Sequence, residues 1–174
     1  MKPLHGTALL GGAFDPPHAA HIQMAERALA LGCERVVFVP SANPPHKRCT
    51  ADFFDRVAML EAAIAGRADM AVDTIEGGDG AVHYSYLMLP RLVDKYGDCV
   101  FVIGGDSLID LGKWREPDKV VAEVPLLAFP RKDRDESFAA ALEFWRGRGA
   151  RIYADDFMPD GVSSTAARYL ASMR

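Results

Sequence analysis

The chain has 174 residues, of which 49% are hydrophobic and 25% are charged, and its formal net charge is −4. This balance predicts one globular domain over residues 1–174 with a sizeable core, and it excludes the broad basic surface by which proteins wrap nucleic acid. No apolar run is long enough to cross a bilayer, and the first apolar segment is too short for a secretory signal. Three cysteines without a C-x-x-C pair indicate free thiols, so we expect a cytoplasmic protein.

Short apolar runs alternate with helical patterns along the chain. Several of the runs are apolar without alternation, which is typical of parallel strands covered on both faces. The order predicts an α/β fold with a doubly wound, mostly parallel sheet, in which ligands bind beyond the carboxyl ends of the strands. Pro90 interrupts the third helical pattern and predicts a kink or a later start. The predicted strands are residues 7–10, 35–39, 70–73, 99–103, 126–129 and 151–153, and the predicted helices are 23–31, 52–65, 85–95 and 135–148.

The first motif is GGAFDPPHAAH at residues 11–21. It predicts a strand end, a tight turn and a helix N-terminus with His18 and His21 on one face, an arrangement that suits a phosphate. Either histidine alone is more often an ordinary core or surface residue. A zinc site built from these two with His46 and Cys49 is a less favoured alternative, because the two pairs lie on different elements.

A second motif, VPSANPPHKR at residues 39–48, follows the second strand. Its loop carries His46, Lys47 and Arg48, and such a cluster suits a triphosphate, although a solvated basic loop is about as common.

The third motif, FVIGGDSL at residues 101–108, repeats the order strand, Gly-Gly, helix start. Asp106 could accept from a ribose hydroxyl, cap the helix, or do both. Trp114 and Tyr84 could stack on a planar ring, although an aromatic residue of the core is the commoner case.

The last motif is GVSSTAAR at residues 161–168. Ser163, Thr165 and Arg168 would form a second anion site from hydroxyls, backbone N–H groups and one guanidinium. An ordinary capped C-terminal helix is the alternative.

Taken together, these motifs resemble the nucleotidyltransferase superfamily marked by an H-x-G-H signature, and within it the bacterial nicotinate-nucleotide adenylyltransferases. Five features match that family's motifs in the same order and nearly from end to end of the chain: GGAFDPPHAAH, NPPHK, GGDSL, Trp114 and VSSTAAR. The resemblance implies a Rossmann-like fold and adenylyl transfer from ATP, with Mg²⁺, to nicotinate mononucleotide. The products would be deamido-NAD and pyrophosphate, in NAD biosynthesis.

The resemblance also implies roles for individual residues. His18 and His21 would hold the ATP phosphates and stabilise charge at the reacting phosphorus. Gly12, Ala13 and Phe14 would offer backbone contacts nearby, and Lys47 would reach phosphate from its loop. Asp106 would lie against the nucleotide, and the pyrophosphate would be held by Ser163, Thr165 and Arg168. The pyridine mononucleotide would lie near Tyr84, Ser85 and Trp114.

The chain departs from the family pattern at three places. Ala20 stands where H-x-G-H has glycine, and its methyl group is expected to shift the ATP pose. Ala167 replaces a larger aliphatic residue. Residues 83–87 read His-Tyr-Ser-Tyr-Leu where the family commonly has Ser-Tyr-Thr followed by Asp.

Three alternative functions stay open. Nicotinamide mononucleotide is the closest alternative substrate. A pantetheine-phosphate adenylyltransferase or a cytidylyltransferase is a second alternative, against which NPPHK, GGDSL and Trp114 speak. A nucleotide sensor without catalytic activity is the third alternative. The predicted polyphosphate clamp speaks against it, because a sensor would not need the full clamp.

Overall fold

A computed structural model of the protein describes residues 3–45, 47–131 and 135–159. Its core is one six-stranded sheet in which every paired strand is parallel to its neighbour. The strands are β1 (Thr7–Gly12), β2 (Arg35–Pro40), β3 (Met70–Val72), β4 (Cys99–Gly104), β5 (Leu126–Phe129) and β6 (Ile152–Ala154). The helices are α1 (Ala19–Ala30), α2 (Phe53–Ala63), α3 (Ser85–Tyr96), α4 (Gly105–Ile109), α5 (Pro117–Glu123) and α6 (Asp135–Gly147), with a 3-10 turn at Leu111–Lys113.

The strand order is β3-β2-β1-β4-β5-β6. The chain therefore starts in the middle of the sheet, builds outward through β2 and β3, and then crosses to the other side of β1. The reversal lies between β1 and β4, where Leu10 is in register with Val102. The predicted doubly wound parallel sheet is confirmed, and the crevice outside the carboxyl ends of β1 and β4 is the expected ligand position.

Two apolar clusters cover the two faces of the sheet. Leu10 belongs to the cluster that packs against α1 and α2, while its neighbour Leu9 belongs to the cluster beneath α3, α5 and α6. Both side chains are fully buried. Burial on both faces explains why the strands read as continuous apolar runs rather than alternating ones.

The largest difference between the observed and the predicted element bounds is at the start of α1. Helix α1 begins at Ala19, four residues before the apolar pattern suggested, because its first turn is built from the motif residues. Helix α3 keeps Pro90 in its interior and still begins at Ser85, so the later start, one of the two predicted alternatives, is wrong. Helix α5 was not predicted at all. In the described part of the chain, no helix combines the length and the apolar character needed to span a bilayer.

Candidate active site

A cavity of about 590 Å³ opens at the strand-order reversal. Its floor is formed by Gly11 and Gly12 at the end of β1 and by Ile103 and Gly104 at the end of β4. This volume is within the range of small-molecule binding sites. This cavity therefore lies where doubly wound folds place their ligands.

His18 and His21 stand together at the N-terminus of α1 and both line this cavity. His18 is the N-cap residue, and the two imidazole rings stack with centroids 3.8 Å apart. The backbone N–H of His18 donates to Nδ1 of His21 over 3.1 Å. Because Nδ1 accepts that bond, the proton of the neutral His21 ring is on Nε2, which is then a donor.

Burial lowers the pKa of both histidines. The pKa of His21 falls to about 3, first through desolvation and then through the nearby His18 and Lys47. The pKa of His18 is lowered by burial and by the charge of Lys47. Both rings are therefore neutral near pH 7 in the free site and act as N–H donors rather than as cations. Nδ1 of His18 is buried and finds no hydrogen-bond partner among the described residues.

Phe14 packs against the histidine pair. Its side chain is 1% exposed, and its ring lies edge-on to His21 with centroids 4.8 Å apart. The backbone of Phe14 has a φ of +50°, a left-handed conformation that costs a non-glycine residue about 1–2 kcal/mol. A Cβ at Gly12 would lie 3.3 Å from the Phe14 ring, so a small residue there lets the ring pack.

Two buried charges that the sequence reading did not single out hold the surrounding loops. Arg56 is 1% exposed and donates to the carbonyl oxygens of Ser41 (2.7 Å), Ala42 (3.1 Å) and Ala13. Asp15, also 1% exposed, accepts from the backbone N–H groups of residues 50 and 51 at 2.7 and 3.0 Å. A charged residue within the apolar stripe of α2 is the signal that could have identified Arg56.

The loop after β2 carries Lys47 to the cavity, where it is exposed. Asn43 in this loop donates to the carbonyl oxygens of Gly80 and Ala81 at 2.8 and 3.1 Å, which joins it to the loop before α3. Glu76 is buried beneath and accepts from the N–H of Ala42 at 3.0 Å, and burial raises its pKa. These contacts define where the cationic loop stands relative to the histidines.

Asp106 lines the cavity at the start of α4, but it is not the helix cap. Gly104 is the N-cap residue, so the capping alternative for Asp106 is wrong. The carboxylate accepts a hydrogen bond from Arg131 and remains about 40% exposed. Gly105 has no room for a side chain, because a Cβ there would lie 2.9 Å from the carbonyl oxygen of Phe129.

One group of cavity-lining residues, which we call the aromatic end, carries aromatic side chains. It consists of Tyr84, Ser85, Trp114 and Arg115. The Trp114 ring is half-buried and meets the Phe101 ring with centroids 6.3 Å apart. One face of the cavity thus offers flat apolar surface of the kind that stacks on a heterocycle.

Some of the predicted site residues lie in the cavity wall, and others lie outside the described residues. Ala13 and Ala20 both line the cavity, and Ala20 is buried in the first turn of α1. His46 lies outside the described residues, as do Ser163, Thr165, Ala167 and Arg168 of the last motif. Within residues 3–45, 47–131 and 135–159, no three potential metal-ligating side chains form a cluster.

The model of the cytidylyltransferase-like family matches residues 9–169, which is most of the chain. The chain belongs to this family. The family consists of nucleotidyltransferases, so the expectation of an enzyme of this class is confirmed.

Curated relatives of the chain carry a more specific name. A protein of Rubrobacter xylanophilus named "probable nicotinate-nucleotide adenylyltransferase" is 36% identical over 166 residues, covering 92% of this chain and 78% of the relative. One of the same name from Listeria innocua is 38% identical over 132 residues, covering 73% and 70%.

Solved structures share the fold at low sequence identity. The Plasmodium falciparum nicotinic acid mononucleotide adenylyltransferase complexed with NaAD superposes with a TM-score of 0.77 at 19% identity, covering 95% of this chain and 83% of that one. The same enzyme complexed with APC gives a TM-score of 0.73 at 20% identity, covering 94% and 82%. The expected Rossmann-like nucleotidyltransferase fold is confirmed.

Proposed function

We propose that this protein transfers the adenylyl group of ATP to nicotinate mononucleotide, giving deamido-NAD and pyrophosphate in NAD biosynthesis. One observation carries the proposal: a single cavity holds a donor-rich end, with His18, His21 and Lys47, and an aromatic end, with Tyr84 and Trp114. A polyphosphate and a planar ring are the chemistries that these two ends suit. The names of the curated relatives support the same choice.

The reaction needs alignment and charge stabilisation rather than a covalent nucleophile. An oxygen of the mononucleotide phosphate forms a bond to the α-phosphorus of ATP, and the bond between that phosphorus and the bridging oxygen breaks. The electron pair leaves with pyrophosphate, and no proton has to be removed because the attacking phosphate is already an anion. Catalysis then depends on holding the two phosphates in line and on donors aimed at the developing charge.

His18 and His21 are placed to supply those donors. Their rings are neutral in the free site, so each offers an N–H without the cost of burying a cation. The Nε2–H of His21 is set by the bond that its Nδ1 accepts from His18. Lys47 adds a positive charge from the loop, and Gly12 and Ala13 leave room for close backbone approach.

Mg²⁺ fits this site as a companion of ATP. Glu76 and Asp106 are the carboxylates lining the cavity among the described residues, and each already accepts a hydrogen bond. Mg²⁺ characteristically takes most of its ligands from phosphates and water, so it would neutralise the polyphosphate with few protein ligands. We propose that Ser163, Thr165 and Arg168 complete the grip on pyrophosphate.

The test is pyrophosphate release by the purified protein with ATP and Mg²⁺. Each of three acceptors is supplied alone: nicotinate mononucleotide, nicotinamide mononucleotide and 4′-phosphopantetheine. We expect release with nicotinate mononucleotide and a product with the mass of deamido-NAD. Release with phosphopantetheine alone, release only when CTP replaces ATP, or ATP binding without any turnover would each contradict the proposal.

A further inference from the structure

The aromatic end of the cavity contains a cation. Arg115 lines the cavity beside Tyr84 and Trp114. Its guanidinium carbon lies 5.1 Å from the centre of the Tyr84 ring, and Nη1 is 3.5 Å from the Tyr84 hydroxyl oxygen. Stacking on a tyrosine restricts the guanidinium to one region while leaving most of its five N–H donors unused.

Within the described ranges, Arg115 forms no ion pair with a carboxylate, and the neighbouring Glu116 acts on it only through its charge. Nearby cations on the same stretch are paired, Lys113 with Asp110 at 3.1 Å and Lys119 with Glu116 at 3.5 Å. Among the described ion pairs none includes Arg115. Arg115 therefore brings a positive charge to the aromatic end, and this charge is separate from that of Lys47, whose field acts on the two histidines.

We propose that Arg115 is the residue that selects the acceptor, by pairing with the carboxylate of the nicotinate ring. The inference rests on the proposed function, since it assumes that the pyridine ring occupies the aromatic end. Guanidinium has only donors, and a carboxylate can accept two of them side by side. A carboxamide has one acceptor oxygen, and its NH₂ group would face further donors, so nicotinamide mononucleotide gains less.

The decisive quantity is the ratio of kcat/KM for nicotinate mononucleotide to that for nicotinamide mononucleotide, measured at saturating ATP and Mg²⁺. We expect Arg115→Gln to lower kcat/KM for the nicotinate form about tenfold, the scale of a partly exposed charged hydrogen bond. Its kcat/KM for the nicotinamide form should change less than about twofold on the same reasoning. Arg115→Lys should retain part of the selectivity, because it keeps the charge and loses the planar fork.

Lys113→Gln is the matched control. It also removes one positive charge, two residues before Arg115, but the Lys113 side chain does not line the cavity. It should leave the ratio unchanged. Added KCl should lower the selectivity of the wild-type protein, because salt screens an accessible ion pair, and should leave that of Arg115→Gln unchanged.

The outcomes separate the two proposals. If the wild-type protein uses nicotinate mononucleotide but Arg115→Gln keeps the same ratio, or loses both substrates equally, the role of Arg115 is refuted and the proposed function stands. A wild-type preference for nicotinamide mononucleotide also refutes it. If neither pyridine nucleotide releases pyrophosphate, the proposed function fails and this inference fails with it.

Discussion

At the scale of single residues, the chemistry depends on how His18 and His21 are kept neutral and oriented. Stacked rings 3.8 Å apart cannot both be cationic without strong repulsion, and burial disfavours charge on either. The histidine pair therefore contributes directed N–H groups, and the positive charge comes from Lys47.

His18→Ala should reduce kcat/KM by roughly a hundredfold or more, because it removes one donor aimed at the reacting phosphates. Steady-state pyrophosphate release measures the effect. His5→Ala is the control, since His5 is an exposed histidine that does not line the active-site cavity. Near-native kinetics in His18→Ala would refute the assignment.

The lowered pKa of His21 makes stability depend on pH. In the unfolded chain His21 takes up a proton near pH 6.5, whereas in the native state it does so near pH 3. Acid therefore favours the unfolded state, and this contribution to stability is lost as pH falls from about 6.5 toward 3. We expect the unfolding free energy to fall less between pH 7.5 and 5 in His21→Asn than in the wild-type protein, measured by urea titration. Equal losses in the two proteins would count against a buried, neutral His21.

At the scale of elements, the site is a set of loops fastened to a rigid sheet. Arg56 on α2 bonds the turn after β1 and the loop after β2, and Asp15 bonds the segment that precedes α2. Arg56 on helix α2 thus positions Ala13 and the base of the Lys47 loop, although its own side chain does not line the cavity.

Arg56→Lys should destabilise the protein by about 3 kcal/mol, because the buried lysine keeps the charge but cannot reach all the carbonyls that the guanidinium satisfies. Denaturant unfolding measures this change. The KM for ATP should also rise, since the two loops lose a shared anchor. Arg91→Lys on the exposed face of α3 is the control and should change neither quantity. If Arg56→Lys lowers the stability but leaves the KM for ATP unchanged, Arg56 stabilises the fold and does not position the site.

At the scale of the whole molecule, the cavity joins two halves of the sheet that the chain builds separately. One half runs from β1 to β3 and supplies the histidines and Lys47; the other begins at β4 and supplies Asp106 and Trp114. A dinucleotide product would contact both halves at once.

Deamido-NAD should accordingly stabilise the native protein, by about 2.7 kcal/mol when present at a hundred times its Kd. Thermal or urea unfolding with and without the product measures the shift. His18→Ala should show a smaller shift at the same concentration, while His5→Ala should match the wild-type protein. If deamido-NAD does not shift the unfolding midpoint of the wild-type protein, the result would contradict a site that spans both halves.

Much of this architecture could be read from local patterns. All six strands were predicted within two residues of their bounds at both ends, because strands buried on both faces are continuous apolar runs. The start of α1 was predicted too late, since its first turn is made of motif residues and not of the apolar stripe. The short helix α5 was missed because seven residues give little periodicity.

Some features of the site could likewise be predicted from local sequence patterns, and others could not. Glycines, histidines and hydroxyls grouped in short motifs indicated a phosphate site from the sequence itself, because spacing along one helix or one turn is a local property. Tertiary structure alone brought Arg115 onto the Tyr84 ring from a segment 31 positions away, buried Arg56 under two loops, and paired Asp106 with Arg131. These contacts join residues that are far apart in the chain, so no local sequence pattern can indicate them. The sequence thus determined which groups could bind phosphate, and the folded sheet decided which charges remain free to select a substrate.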